Sequence, residues 1–101
     1  MISWDQAHAI AADRVARLRV SGDDRAVLVD DLALTYDFGW LFEYQSERFL
    51  QTGEVDFRLL DNHAFLVHRL DGHVVELPRW RRDDQLRALA EAWAAGAPPP
   101  A

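Results

Sequence analysis

Apolar residues recur at three- and four-residue spacing near the start of the chain, at Trp4, Ala7, Ile10, Ala11, Val15 and Leu18. That spacing predicts an amphipathic helix with one face to bury. Ser3-Trp4-Asp5-Gln6 supplies its start, because the Ser3 hydroxyl can accept from a first-turn amide while the Gln6 side chain reaches back to the Ser3 amide. Ser21-Gly22-Asp23-Asp24 ends it. From Arg25 the period drops to two: Val27 and Val29 alternate with Leu28 and Asp30, and Leu32, Leu34 and Tyr36 follow in the opposite phase. A one-residue bulge near Asp30-Asp31 accounts for the flip, since it sends every later side chain to the other face. After Asp37-Phe38-Gly39 a second strand covers Trp40 to Gln45, with Trp40, Phe42 and Tyr44 on one face and Leu41 and Glu43 on the other.

Glu47 to Thr52 is expected to form a further short strand, while Gly53 to His63 shows no readable period. The best local signal is Ala64 to Leu77, two strands joined at Leu70-Asp71-Gly72. With Gly72 in a left-handed bulge position, Arg69 pairs with His73, Val67 with Val75 and Phe65 with Leu77, which gives an all-apolar face. A two-residue Asp-Gly turn would pair Arg69 with Val74 and mix charge into both faces. Pro78 stops the last strand, Asp83 is positioned to cap a second helix, and Leu86, Leu89, Ala90 and Trp93 form its stripe before Gly96. The expected fold is α+β, an antiparallel sheet of about four strands with the N-terminal and C-terminal helices packed on one face. Residues 1–97 form one domain, and 98–101 a disordered Pro-rich tail.

Composition narrows the chemistry. The 101 residues contain no cysteine, which removes disulfides, thiolate metal sites and cysteine nucleophiles. No apolar run approaches the length of a membrane span and the start lacks the pattern of a signal peptide, so a cytoplasmic location is expected. The net charge of −6 is uneven: residues 20–62 hold ten carboxylates against Arg25, Arg48 and Arg58, whereas the flanking segments are nearly neutral. Such a field repels nucleic-acid phosphates and either speeds encounter with a basic protein or serves solubility alone.

Candidate catalytic patterns dissolve on inspection. Asp37-Phe38-Gly39 matches the metal-binding triplet of protein kinases, but the glycine-rich loop and the catalytic loop are missing. His63, His68 and His73 fall at five-residue intervals, yet the preferred register sends His68 and His73 to opposite faces of the hairpin, so no metal site is expected. Ser3 reads as a cap, Ser21 and Ser46 as turn residues, and Asp30-Asp31 as solvated charges that burial has not split into acid and base. Trp4 and Trp93 sit on helix stripes as core residues. Trp80 differs, because Arg79-Trp80-Arg81-Arg82 places an indole among guanidinium groups between the last strand and the second helix, where it either packs over the sheet edge, the more common fate, or anchors a partner.

Tyr36-Asp37-Phe38-Gly39-Trp40-Leu41-Phe42-Glu43-Tyr44, then Phe49-Leu50-Gln51-Thr52-Gly53, then Phe65-Leu66-Val67-His68-Arg69-Leu70-Asp71-Gly72 and a closing helix together resemble the immunity protein 35 family. Its pattern has a Gly-Trp-x-Phe strand, a Leu-x-x-Gly segment, a hydrophobic strand ending in Asp-Gly, and flanking helices. This sequence departs from it at Asp61-Asn62-His63-Ala64, where the family tends to show Gly-Asn-x-Pro. The resemblance implies an immunity protein that binds and neutralises a cognate bacterial toxin of a polymorphic toxin system, without catalysis or cofactor. The alternative is a chaperone-like or general protein-interaction module without a dedicated toxin partner. The expected contact residues are Asp30, Asp31, Asp37, Glu43, Glu47 and Trp80, facing a toxin with a basic surface. Neither nucleic acid nor membrane is an expected partner, and the chain is expected to be a monomer or weak homodimer.

Overall fold

Ser3 starts the first helix as its sequence dictates. Its hydroxyl accepts from the Gln6 amide at 3.2 Å and its own amide donates to the Gln6 side chain at 2.9 Å, completing the capping box of α1, Trp4–Ala16. In this computed structural model, residues 1–60 and 62–96 are described, and the expected Pro-rich tail at 98–101 lies outside them. After α1 come β1 (Ala26–Leu28), β2 (Leu34–Tyr36), β3 (Gly39–Phe42), β4 (Tyr44–Ser46), α2 (Glu47–Thr52), β5 (Ala64–His68), β6 (Val74–Leu77) and α3 (Arg82–Ala94). β2, β3, β5 and β6 form an antiparallel sheet in that order, while β1 pairs with β4 in a two-stranded ladder. The fold is α+β with helices at both ends of the chain.

The phase change between β1 and β2 has the expected parity and a larger cause. Leu28 lies opposite Tyr44 and Leu34 opposite Leu41, so five residues on one side span two on the other. The three extra residues are taken up by a 3₁₀ turn at Asp30–Leu32, in place of a one-residue bulge. An odd insertion still flips the faces.

The two long helices do not share a face of the sheet, contrary to expectation. Ala7 and Ala11 of α1 pack on Trp40, Phe42 and Val67, and Val15 packs near Phe65 and Ala26. Leu86, Leu89 and Trp93 of α3 pack with Leu41, Ala64, Leu66 and Leu77, which point the other way. The physical reason lies in the strands themselves. Trp40-Leu41-Phe42 and Phe65-Leu66-Val67 are apolar in both phases, so each face needs a cover.

Double cover also explains the hairpin register. β5 and β6 pair Val67 with Val74, Leu66 with Val75, Phe65 with Glu76 and Ala64 with Leu77, and His68 bonds across to His73. Both registers considered from sequence are therefore displaced. An all-apolar single face distinguishes them only where one face is covered, and here both are. Gly72 does adopt the left-handed conformation, at φ +77°, closing a four-residue loop through a bond from its amide to the His68 carbonyl at 2.9 Å.

Three smaller corrections follow from local chemistry. Glu47–Thr52 is a helix and not a strand, because Ser46 caps it by accepting from the Phe49 amide at 3.1 Å and Gly53 ends it at φ +72°. Asp83 does not cap α3; it lies with Asp84 in the first helical turn, where its charge suits the positive end. Trp4 is 39% exposed at the rim of the core, against Phe42 and Trp40, whereas Trp93 is partly buried as expected.

Candidate protein-docking groove

α3 covers the face of the sheet formed by β3, β5 and β6, while α1 packs on the β1–β4 ladder through Val15 against Ala26. α2 and the segment that follows it pack beside β4. Gln45 ties that segment down: its side-chain oxygen accepts from the Leu59 amide at 2.6 Å and its side-chain nitrogen donates to the Leu59 carbonyl at 3.3 Å. The amide side chain thus acts as a substitute for a strand partner, and Asn62 adds a bond to the Tyr44 carbonyl at 3.0 Å. Between this segment, β4 and the 3₁₀ turn at Asp30–Leu32 lies a groove of about 420 Å³. Leu32, Leu50 and Leu60 line it while remaining 50%, 49% and 72% exposed.

The entrance to α2 is built on a second clasp. Asp24 accepts from the amides of Arg25 at 2.8 Å and Arg48 at 3.1 Å, and the buried Ser46 hydroxyl also donates to its carboxylate. That hydroxyl, followed by the backbone bonds, holds the Asp24 carboxyl below the usual carboxylate range. Arg25–Glu47 at 2.7 Å and Arg48–Asp23 at 2.5 Å flank it.

Of the residues expected to meet a partner, only Glu43 lines this groove; Asp31, Glu47 and Trp80 are near lining residues in the chain, and Asp30 faces His8 and the depression between α1 and β1. Asp30 and Asp31 sit on the turn that carries Leu32, and Glu47 opens the helix that carries Phe49 and Leu50. Trp80 is 74% exposed, follows the lining residue Arg79, and stands edge-on to the lining residue His63 at 6.0 Å. Asp37 is at the β2–β3 turn, at the other end of the hairpin. Several of these charges are already engaged: Asp30 with His8 at 2.9 Å, Glu47 with Arg25, and Glu43 with Arg82 at 3.2 Å. Among the described residues, Asp31 and Asp37 have no cationic partner.

The histidines correct another expectation. His68 and His73 share a face, with rings 4.9 Å apart and nearly parallel, and Asp71 completes a trio whose ligand-type atoms lie within 4.8 Å of one another. The bonds they already make fit a turn lock better than a metal site. His68 Nδ1 accepts from the Leu70 amide at 3.3 Å, and Asp71 Oδ1 accepts from the His73 amide at 3.0 Å and lies 2.6 Å from His73 Nδ1. Burial holds the His68 imidazole below the usual histidine value, with the His73 ring adding to the effect. A neutral His68 whose Nδ1 accepts carries its proton on the other nitrogen, leaving no free lone pair for an ion.

Ser3 and Ser46 are both spent on helix caps, and neither has a histidine as its hydrogen-bond partner. Sequence reasoning missed Gln45, Ser46 and Arg69. Arg69 lies over the Trp40 ring at 4.2 Å and donates to the carbonyls of Tyr36 and Asp37, locking the β2–β3 turn.

The molecule is thus a small α+β domain with helices on both faces of its sheet and an apolar groove at one end. A model of the immunity protein 35 family matches residues 5–95, and the chain belongs to that family. No curated protein and no solved structure matches it.

Proposed function

We propose that this chain is an immunity protein that binds a cognate bacterial toxin in the cytoplasm and neutralises it by contact, without catalysing a reaction. Membership of the immunity protein 35 family carries the reading. The groove supports it, because an exposed apolar depression rimmed by charge is a feature that a stable protein contact covers. A standard interface takes about 800 Å² from each partner, a small share of the 6555 Å² that the chain exposes. Nanomolar affinity needs about 12 kcal/mol, within reach of a few buried aliphatic and aromatic anchors.

The acidic residues contribute at longer range in this proposal. Asp30, Asp31 and Asp37 present negative charge toward solvent and steer a toxin with a basic surface. Reversing Asp30 and Asp31 to Lys slows association and flattens its salt dependence; unchanged association kinetics remove the steering role. The proposal as a whole is tested by growth. Cells producing a toxin domain drawn from the genes neighbouring this one recover when the chain is co-produced, and continued growth arrest with every such domain while soluble, folded chain is present contradicts it.

A further inference from the structure

The net charge of the chain is −6, yet the groove has a basic rim. Arg58 and Arg79 line it, both exposed, and neither has a carboxylate partner among the described residues. Arg14, Arg17, Arg25, Arg48 and Arg82 each do. Among the described residues, the one carboxylate lining the groove, Glu43, is taken by Arg82 at 3.2 Å, with both side chains mostly buried. The floor is therefore electrically satisfied, while the rim holds two guanidinium groups against apolar surface. Guanidinium groups favour planar bidentate pairing with carboxylates, more strongly where apolar neighbours exclude water.

We infer, resting on the immunity reading, that the groove receives one extended segment of the toxin whose apolar side chains lie on Leu32, Leu50 and Leu60, followed by a carboxylate that pairs with Arg79. The volume of about 420 Å³ falls within the range of roughly 300–1,000 Å³ that encloses a ligand the size of a few residues. Trp80 adjoins this end of the groove, touching His63 edge-on and otherwise largely exposed, so its indole closes over the segment. The long-range acidic field and the local basic rim are compatible. The first governs encounter with a basic toxin, and the second fixes the register of a single segment within it.

The test uses a purified toxin domain that this chain protects against in the growth assay, titrated with wild-type chain and with Leu60→Asp, Arg79→Glu and, as a control on the exposed face of α3, Arg87→Glu. Leu60 and Arg79 are exposed, so these variants keep the wild-type melting temperature. Leu60→Asp and Arg79→Glu each weaken binding by about tenfold or more, mainly through faster dissociation, while Arg87→Glu stays within about twofold. A wild-type complex that tolerates Leu60→Asp overturns the groove assignment alone, and one that tightens with Arg79→Glu overturns the carboxylate. Failure of the wild-type chain to form any complex overturns the immunity reading together with this inference.

Discussion

At the scale of single residues, two small side chains hold more of the fold than their sequence context announces. Ser46 is buried, caps α2 and bonds Asp24, so Ser46→Ala removes a cap and leaves a buried site short of a partner. It should cost about 1–2 kcal/mol in denaturant unfolding. The position was hidden because the third residue of α2 is Phe49 and not Glu or Gln, so the box that revealed Ser3 is absent. Gly39 faces His68 across the sheet, and a Cβ there would strike the Val67 carbonyl. Gly39→Ala is therefore expected to cost at least about 2 kcal/mol, read from the same unfolding curves. Titration adds a third prediction. His68 binds its proton less readily in the folded chain than in the unfolded one, so the unfolded state gains protons first as the pH falls below about 6.5, and stability declines there. Asp23, Asp24 and Asp71 lie below 3.8 when folded, so their contribution is present at neutral pH and is lost only in stronger acid. Unfolding midpoints followed against pH should fall in two stages, and His68→Gln should remove the upper one.

Elements were legible in proportion to how local their causes are. α1 could be read from a cap and a stripe, and the β5–β6 hairpin from its apolar runs and Gly72. The register of that hairpin could not, since one-residue alternatives differ only in which faces are covered, and that depends on α1 and α3 lying on opposite sides. The unpatterned stretch after α2 is ordered by Gln45 from a distant strand, a contact with no local signal. Replacing Gln45 with Leu should free the Leu59 amide, seen as faster hydrogen exchange at that residue with the sheet otherwise intact. Leu89, 2% exposed between α3 and the sheet, tests the second layer. Leu89→Ala should cost about 2–5 kcal/mol in denaturant unfolding and increase the solvent exposure of Trp93, seen in its fluorescence.

At the scale of the whole molecule, the sheet is covered on both sides by α1 and α3, and Leu32, Leu50 and Leu60 stay exposed along the groove beside β4. The acidic segment and the Arg79-Trp80-Arg81 run could be read from composition as candidate contacts, but not the groove that Glu43 and Arg79 line. That groove depends on Gln45 holding the segment after α2 beside β4. Hydrogen exchange of the chain, alone and bound to the toxic domain, tests this account most directly. Slowed exchange at 29–32, 47–60 and 79–81, with the outer face of α1 unchanged, is the expected pattern. Slowing confined to α1 or to the outer face of α3 would contradict it.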